Sequence, residues 1–289
     1  DSAVRAATSL TSITIPASVP RIVDYAFRDA TNMVSVTFEA NSQLTIIERN
    51  VFQGTASLAT ITIPTSVTSL GIYAFYNAGL VSIIIPATLT NIGQNTFNLA
   101  SSLTSVTFEE NSQLIDIGNS AFNDAYALTS ITIPASVTNL GNYAFRDAYA
   151  LTSVTFEANS QLISIGTNAF QNSILPSIIL PEGLTTIGNY AFYNVQSLTV
   201  ITIPVSVTEI GMRVFDYATG FTGPVYNANN TILVYYSSSL TATAITIPAS
   251  VTTIANSAFY KHTHLRRITI PAGVTDIGDY AFRYTSSMT

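Results

Sequence analysis

His262 and His264 are the only imidazoles in the chain, and they stand two apart in "KHTHLRR". Such a pair can ligate a divalent metal. Here no cysteine joins it, and Lys261, Arg266 and Arg267 crowd it with positive charge. A solvated turn is the expectation, with His262 filling a slot that is otherwise small, and no metal site follows. Carboxylates are equally unpromising. Glu109 and Glu110 are adjacent, so a strand sends them to opposite faces. Glu39, Glu109 and Glu157 recur at one position of a repeating phrase. An acid/base pair needs two different environments, so this recurrence reads as structural. Serines and threonines abound, but no His or Lys is placed to activate a hydroxyl. No glycine-rich phosphate loop is present. Neither an enzyme nor a cofactor site is expected.

The bulk composition narrows the partners. Of 289 residues, 47% are hydrophobic and only 9% charged, so the chain can bury a large core and is not disordered. Net charge is -6, and Lys261 is the single lysine. Such a chain suits nucleic acid poorly. No apolar run approaches the ~20 residues of a membrane helix, so this segment is not expected to insert into a membrane. The start, "DSAVRAATSL", lacks the pattern of a signal peptide.

The elements that would position a site repeat. A typical unit reads L-T-S-I-T-I-P-A-S-V-T-x-I-G-x-x-A-F-x-x-A. Its first inward strand residue recurs every 22 to 25 residues, from Ile13 to Ile268, with one gap of 44. "SITI" alternates like a half-buried strand, and a proline then ends it, as at Pro134. In three units the phrase is "VTFE", with Phe38, Phe108 and Phe156 at the second inward position. A glycine follows, as at Gly141, where a tight corner or a positive φ would suit it. Eleven equivalent phenylalanines, from Phe27 to Phe282, should stack as an interior spine. One unit cannot bury its stripe alone, so neighbours must stack. The expected fold is a curved, right-handed repeat solenoid of about twelve coils. One parallel β-sheet lines its concave face, and short irregular or helical turns line the convex face.

The phrase L-x-x-I-x-I-P-x-x-V-x-x-I-G-x-x-A-F, clearest from Leu128 to Phe145, resembles the BspA-type leucine-rich repeat of bacterial and protist surface proteins. Family repeats commonly carry Cys three residues after the Phe. Here mostly small residues stand there, such as Ala125 and Ala148, so a tight buried slot is expected. The resemblance implies an extracellular or cell-surface protein that attaches to host matrix or plasma proteins.

Residues 1–9 read as a lead-in, 10–220 as regular repeats, 221–241 as a degenerate repeat, and 242–289 as repeats again. In "FTGPVYNANNTILVYYSSSLTATA" two strand-like runs flank "NANN", the pattern of a β-hairpin. One reading is a drifted repeat that still stacks through Ile232 and Val234. The other is a protruding loop that binds with Tyr226, Tyr235 and Tyr236. The chain stops at "SSMT", mid-phrase, and neither end reads as a polar cap. A fragment of a longer protein, or ends covered by neighbouring segments, is expected.

The outward strand positions supply the main candidate surface. They form hydroxyl files that include Ser105, Ser130 and Ser153 beside Thr107, Thr132 and Thr155. Arg267 takes the serine position in the last strand, next to Arg266, and with Lys261 and Arg283 these could make a basic spot. A protein ligand on the strand face is the first expectation. A glycan on the recurring "YAF" tyrosines (Tyr25, Tyr73, Tyr143, Tyr190, Tyr280) is the second, and an ice or crystal lattice against the threonine files the third.

Overall fold

The structure, a computed structural model, describes residues 7–288. It is a parallel-strand β-solenoid with 23 strands and, among the described residues, no helix. Most coils contribute a strand from the S-I-T-I phrase, such as Ser130–Ile133, whereas the coil at residues 60–63 keeps only a bridge from Thr62 to Ile84. The register is that of the repeat: Ser130 lies beside Ser153, Ile131 beside Val154, and Thr132 beside Thr155.

A second file of strands runs along the coil at the x-I of T-x-I-G. These strands are two residues long, as at Asn139–Leu140, and nine of them form the largest continuous sheet. The sequence reading anticipated one sheet. Two residues are too few to show a period, so the second was hidden. Threonines stitch its edge to the preceding coil: the Thr68 hydroxyl donates to the Thr45 carbonyl at 3.3 Å, and Thr275 to Thr252 at 3.4 Å.

The turn that carries the phenylalanine forms a third ladder. The N–H groups of Tyr143, Phe145 and Asp147 donate to carbonyls of the next coil at 2.8, 2.8 and 2.9 Å. Those of Ala144 and Arg146 close turns within their own coil. This alternation satisfies every backbone donor from Tyr143 to Asp147. It requires left-handed backbone two residues before and two after each phenylalanine, as at Tyr143 (φ 60°) and Asp147 (φ 59°). Asn and Asp dominate the second position and tolerate this conformation best.

The phenylalanine column is the core. Rings from Phe27 to Phe215 stack at 5.2–5.5 Å, with planes within 16° of parallel. The glycines of the corner serve close approach and not a positive φ. A Cβ on Gly141 would lie 2.5 Å from the Asn119 nitrogen and 2.6 Å from the Gly118 carbonyl carbon of the preceding coil.

Residues Val225–Tyr226 and Ile232–Tyr235 pair antiparallel, so the irregular repeat is a hairpin. Its second strand joins the short-strand file, with Leu233 beside Ile254. No strand pairing joins it to Glu209–Ile210 on its other side, and the nine-stranded sheet ends there. A seam results, crossed by the Ala228 N–H, which donates to the Ile203 carbonyl at 2.8 Å, and by side chains: Asn256 Nδ2 donates to the Ile210 carbonyl at 2.8 Å, and Lys261 Nζ to Tyr217 Oη at 2.8 Å.

Candidate functional site

The strand face gathers six of the expected residues. Ser105, Ser130 and Ser153 lie on adjacent strands of a four-stranded sheet, as do Thr107, Thr132 and Thr155. All but the half-buried Ser153 are exposed. Thr132 and Thr155 share a hydrogen bond at 2.9 Å. The face is not uniform. After Ser35–Phe38 and after Ser153–Phe156 the sheet is interrupted, and after Ser105–Phe108 only Ser105 still pairs with the next strand. These three points follow coils whose second inward residue is phenylalanine. Phe38, Phe108 and Phe156 are half-buried, whereas isoleucine in the same slot is buried at Ile85 and Ile133. The rings lie less deep in the slot than isoleucine does, and the following strand pairs with these coils only in part or not at all.

These weak points open clefts. One of about 610 Å³ lies between Ser153–Phe156 and the segment 177–183, with Glu157 and Glu182 on its rim. A second, of about 480 Å³, follows Phe38 and Glu39. At the lip of the larger cleft, Ile179 replaces a threonine and is 72% exposed. Val200, in the serine file of the next strand, is 59% exposed. This apolar island was overlooked as a site feature, although "SIIL" and "LTVIT" show apolar residues where hydroxyls are the rule. The recurrent glutamates are structural: Glu39, Glu109 and Glu157 accept the N–H of Ala17, Ala87 and Ala135 in the preceding coil at 2.9, 3.0 and 2.9 Å.

The hairpin tyrosines are not a protruding set. Tyr235 is buried, its ring 5.8 Å from Phe215 and 6.0 Å from Phe221, where it extends the core column. Burial pushes its hydroxyl up to about 12. Tyr236 is half-buried and stacks on Phe259 at 5.4 Å. Tyr226 is half-buried against the C-terminal core. The loop reading left them free because the Ala-Phe signal is lost in this coil, yet the tyrosines substitute for it, as the alternative of a drifted, still stacking repeat has it. The expected basic spot is divided. Lys261 and Arg283 belong to the turn ladder, with cations 4.9 Å from the Tyr217 ring and 4.8 Å from those of Tyr280 and Tyr284. Arg266 and Arg267 remain exposed on the last strand segment.

His262 occupies no solvated turn. It is fully buried in the small slot after Phe259, edge-on to Tyr236 at 5.3 Å, and neither ring nitrogen has a partner among the described residues. Burial, with a smaller contribution from His264, holds its pKa below the ordinary histidine value. His264 is exposed.

A family description, the BspA type leucine rich repeat region, matches residues 2–116, 37–152, 115–237 and 230–289. The chain belongs to the BspA-type leucine-rich repeat family. Among solved structures, a leucine-rich repeat protein from Bacteroides ovatus superposes with a TM-score of 0.77 at 25% identity, over 98% of this chain and 78% of that one. A leucine rich cell surface protein from Faecalibacterium prausnitzii gives 0.52 at 28% identity, over 97% and 78%. The pneumococcal vaccine antigen PcpA gives 0.52 at 21%, over 96% of this chain and 59% of that one, and shares the fold alone. No curated protein sequence matches the chain.

Proposed function

We propose that this BspA-type chain is a non-enzymatic recognition module, extracellular or displayed on a cell surface, that grips a protein partner with its strand face. The observation that carries the reading is exposed Ile179 at the lip of the 610 Å³ cleft, with exposed Val200 on the neighbouring strand. Clustered exposed apolar side chains rimmed by polar ones mark interaction surfaces, and a few such residues dominate binding energy. Glu157 and Glu182 on the rim select a partner segment with an apolar anchor flanked by basic residues. Family membership and the cell-surface protein from Faecalibacterium support the location. A lattice partner is disfavoured, because Ile84 and Ile179 interrupt the threonine file and the sheet is broken.

The test is surface plasmon resonance against a panel of purified matrix and plasma proteins. At least one is expected to bind, and Ile179→Asp should weaken it by roughly tenfold or more while leaving the melting temperature unchanged. Absence of any binding by the folded chain, or equal binding by the variant, would refute the reading.

A further inference from the structure

The turn ladder carries another surface, independent of the strand-face reading. Two residues before the column phenylalanine stand Tyr25 in the first coil, Asn50 in the second and Tyr73 in the third. Coils rise by about 5 Å, so the two tyrosines stand roughly 10 Å apart with a shorter amide between them. An open groove of about 430 Å³ lies there. Asn50 is buried, and its amide donates to the Gln53 side-chain carbonyl. That bond leaves the Asn50 side-chain oxygen and the Gln53 NH2 group without partners among the described residues. Tyr76 packs edge-on to Tyr73 at 5.3 Å and extends the aromatic wall. Arg49 is exposed, and no carboxylate pairs with its guanidinium among the described residues.

Elsewhere on this edge the tyrosine faces are already taken. Arg213 lies 5.2 Å from the Tyr190 ring, 5.7 Å from Tyr193 and 4.7 Å from Tyr260. Arg146 lies 5.6 Å from Tyr143. Tyr25 likewise carries Arg28 on one face, at 5.6 Å, whereas Tyr73 and Tyr76 carry no cation among the described residues.

We infer that the groove between Tyr25 and Tyr73 binds a saccharide, with a pyranose ring laid against the tyrosines and its hydroxyls bonded by Gln53, Asn50 and Arg49. Aromatic faces accept the C–H side of a sugar ring, and a few convergent amide and guanidinium groups fix its orientation. The ring is a neutral one. Arg28 is paired with Asp29 at 3.2 Å and Arg21 with Glu48 at 3.6 Å, and Asp24 accepts the backbone N–H of Arg49 at 2.9 Å. Arg21, Arg28 and Arg49 are thus matched in number by Asp24, Asp29 and Glu48, so the groove carries no net surplus charge for an acidic sugar.

Isothermal titration of the full chain with cellotetraose, mannotetraose, lactotetraose and tetragalacturonate tests this. Asparagine already occupies the Tyr73 position in other coils with a left-handed backbone, so Tyr73→Asn and Tyr25→Asn preserve the fold. At least one neutral tetrasaccharide should bind at millimolar or lower concentration. Either variant should weaken it by about tenfold, and Ile179→Asp should leave it unchanged. No binding of the three neutral probes, or binding indifferent to both tyrosine variants, overturns the site. Tighter binding of tetragalacturonate than of every neutral probe overturns the assignment of a neutral ring.

Discussion

Phe145 stacks between Phe122 and Phe170 at 5.3 and 5.5 Å and is fully buried. Phe145→Ala should therefore cost ~3–5 kcal/mol in denaturant unfolding. Thr132→Ala on the exposed face removes one hydrogen bond to Thr155 and should cost no more than ~0.5 kcal/mol. Equal costs would mean that inside and outside are reversed. These two residues were legible in the sequence, since a side chain that recurs at a fixed spacing among apolar neighbours declares its side. His262 was not, because "KHTHLRR" looks solvated and only its place three after Phe259 hinted at burial. The unfolded chain takes up the His262 proton near pH ~6.5, and the folded slot only at lower pH. The stability this contributes is complete above about pH 7 and is lost as pH falls through the ordinary histidine range toward the depressed folded value. Melting temperatures of the wild type and His262→Ala from neutral to mildly acidic pH should diverge, the wild type losing more. Parallel profiles would discard the effect.

Each coil keeps its distance from the last through residues that have no side chain to spare. Gly141→Ala drives a Cβ against backbone atoms at 2.5–2.8 Å and should cost ~1–3 kcal/mol. Gly183→Ala meets nothing closer than 3.7 Å and should be near neutral, within ~0.5 kcal/mol. Circular-dichroism melts of the two variants decide it, and a reversed order would show that corner glycines serve local conformation instead. The long strands were legible because alternation over four residues sets both length and register. The clefts were not, because they follow from how completely neighbouring strands pair beside Phe38 and Phe156, a matter of packing and not of pattern. The left-handed turn positions were half legible: Asn and Asp mark the one after the phenylalanine, whereas tyrosines at φ near 60°, such as Tyr143 and Tyr190, carry no signal of it.

At the scale of the whole molecule, the buried apolar residues among those described fall into two clusters, and the smaller gathers Leu233 of the hairpin with Ile247, Val251, Phe259 and Leu265 after it. Stability in stacked coils is a sum of unit and neighbour terms, so a weak neighbour term divides the molecule into cooperative blocks. Amides of the strands Ala244–Thr246 and Arg267–Thr269 should exchange with deuterium as a group, faster than those of the nine-stranded sheet. Uniform protection from end to end would show that the seam costs nothing. Tension along the long axis would reach this place first. On one side, paired amides in successive coils share the load. At the seam it falls on the backbone bond from Ala228 to Ile203 and a handful of side chains, Asn256 and Lys261 foremost. The hairpin is then a yielding link, which lets the outer coils swing away under strain while the longer stack stays wound.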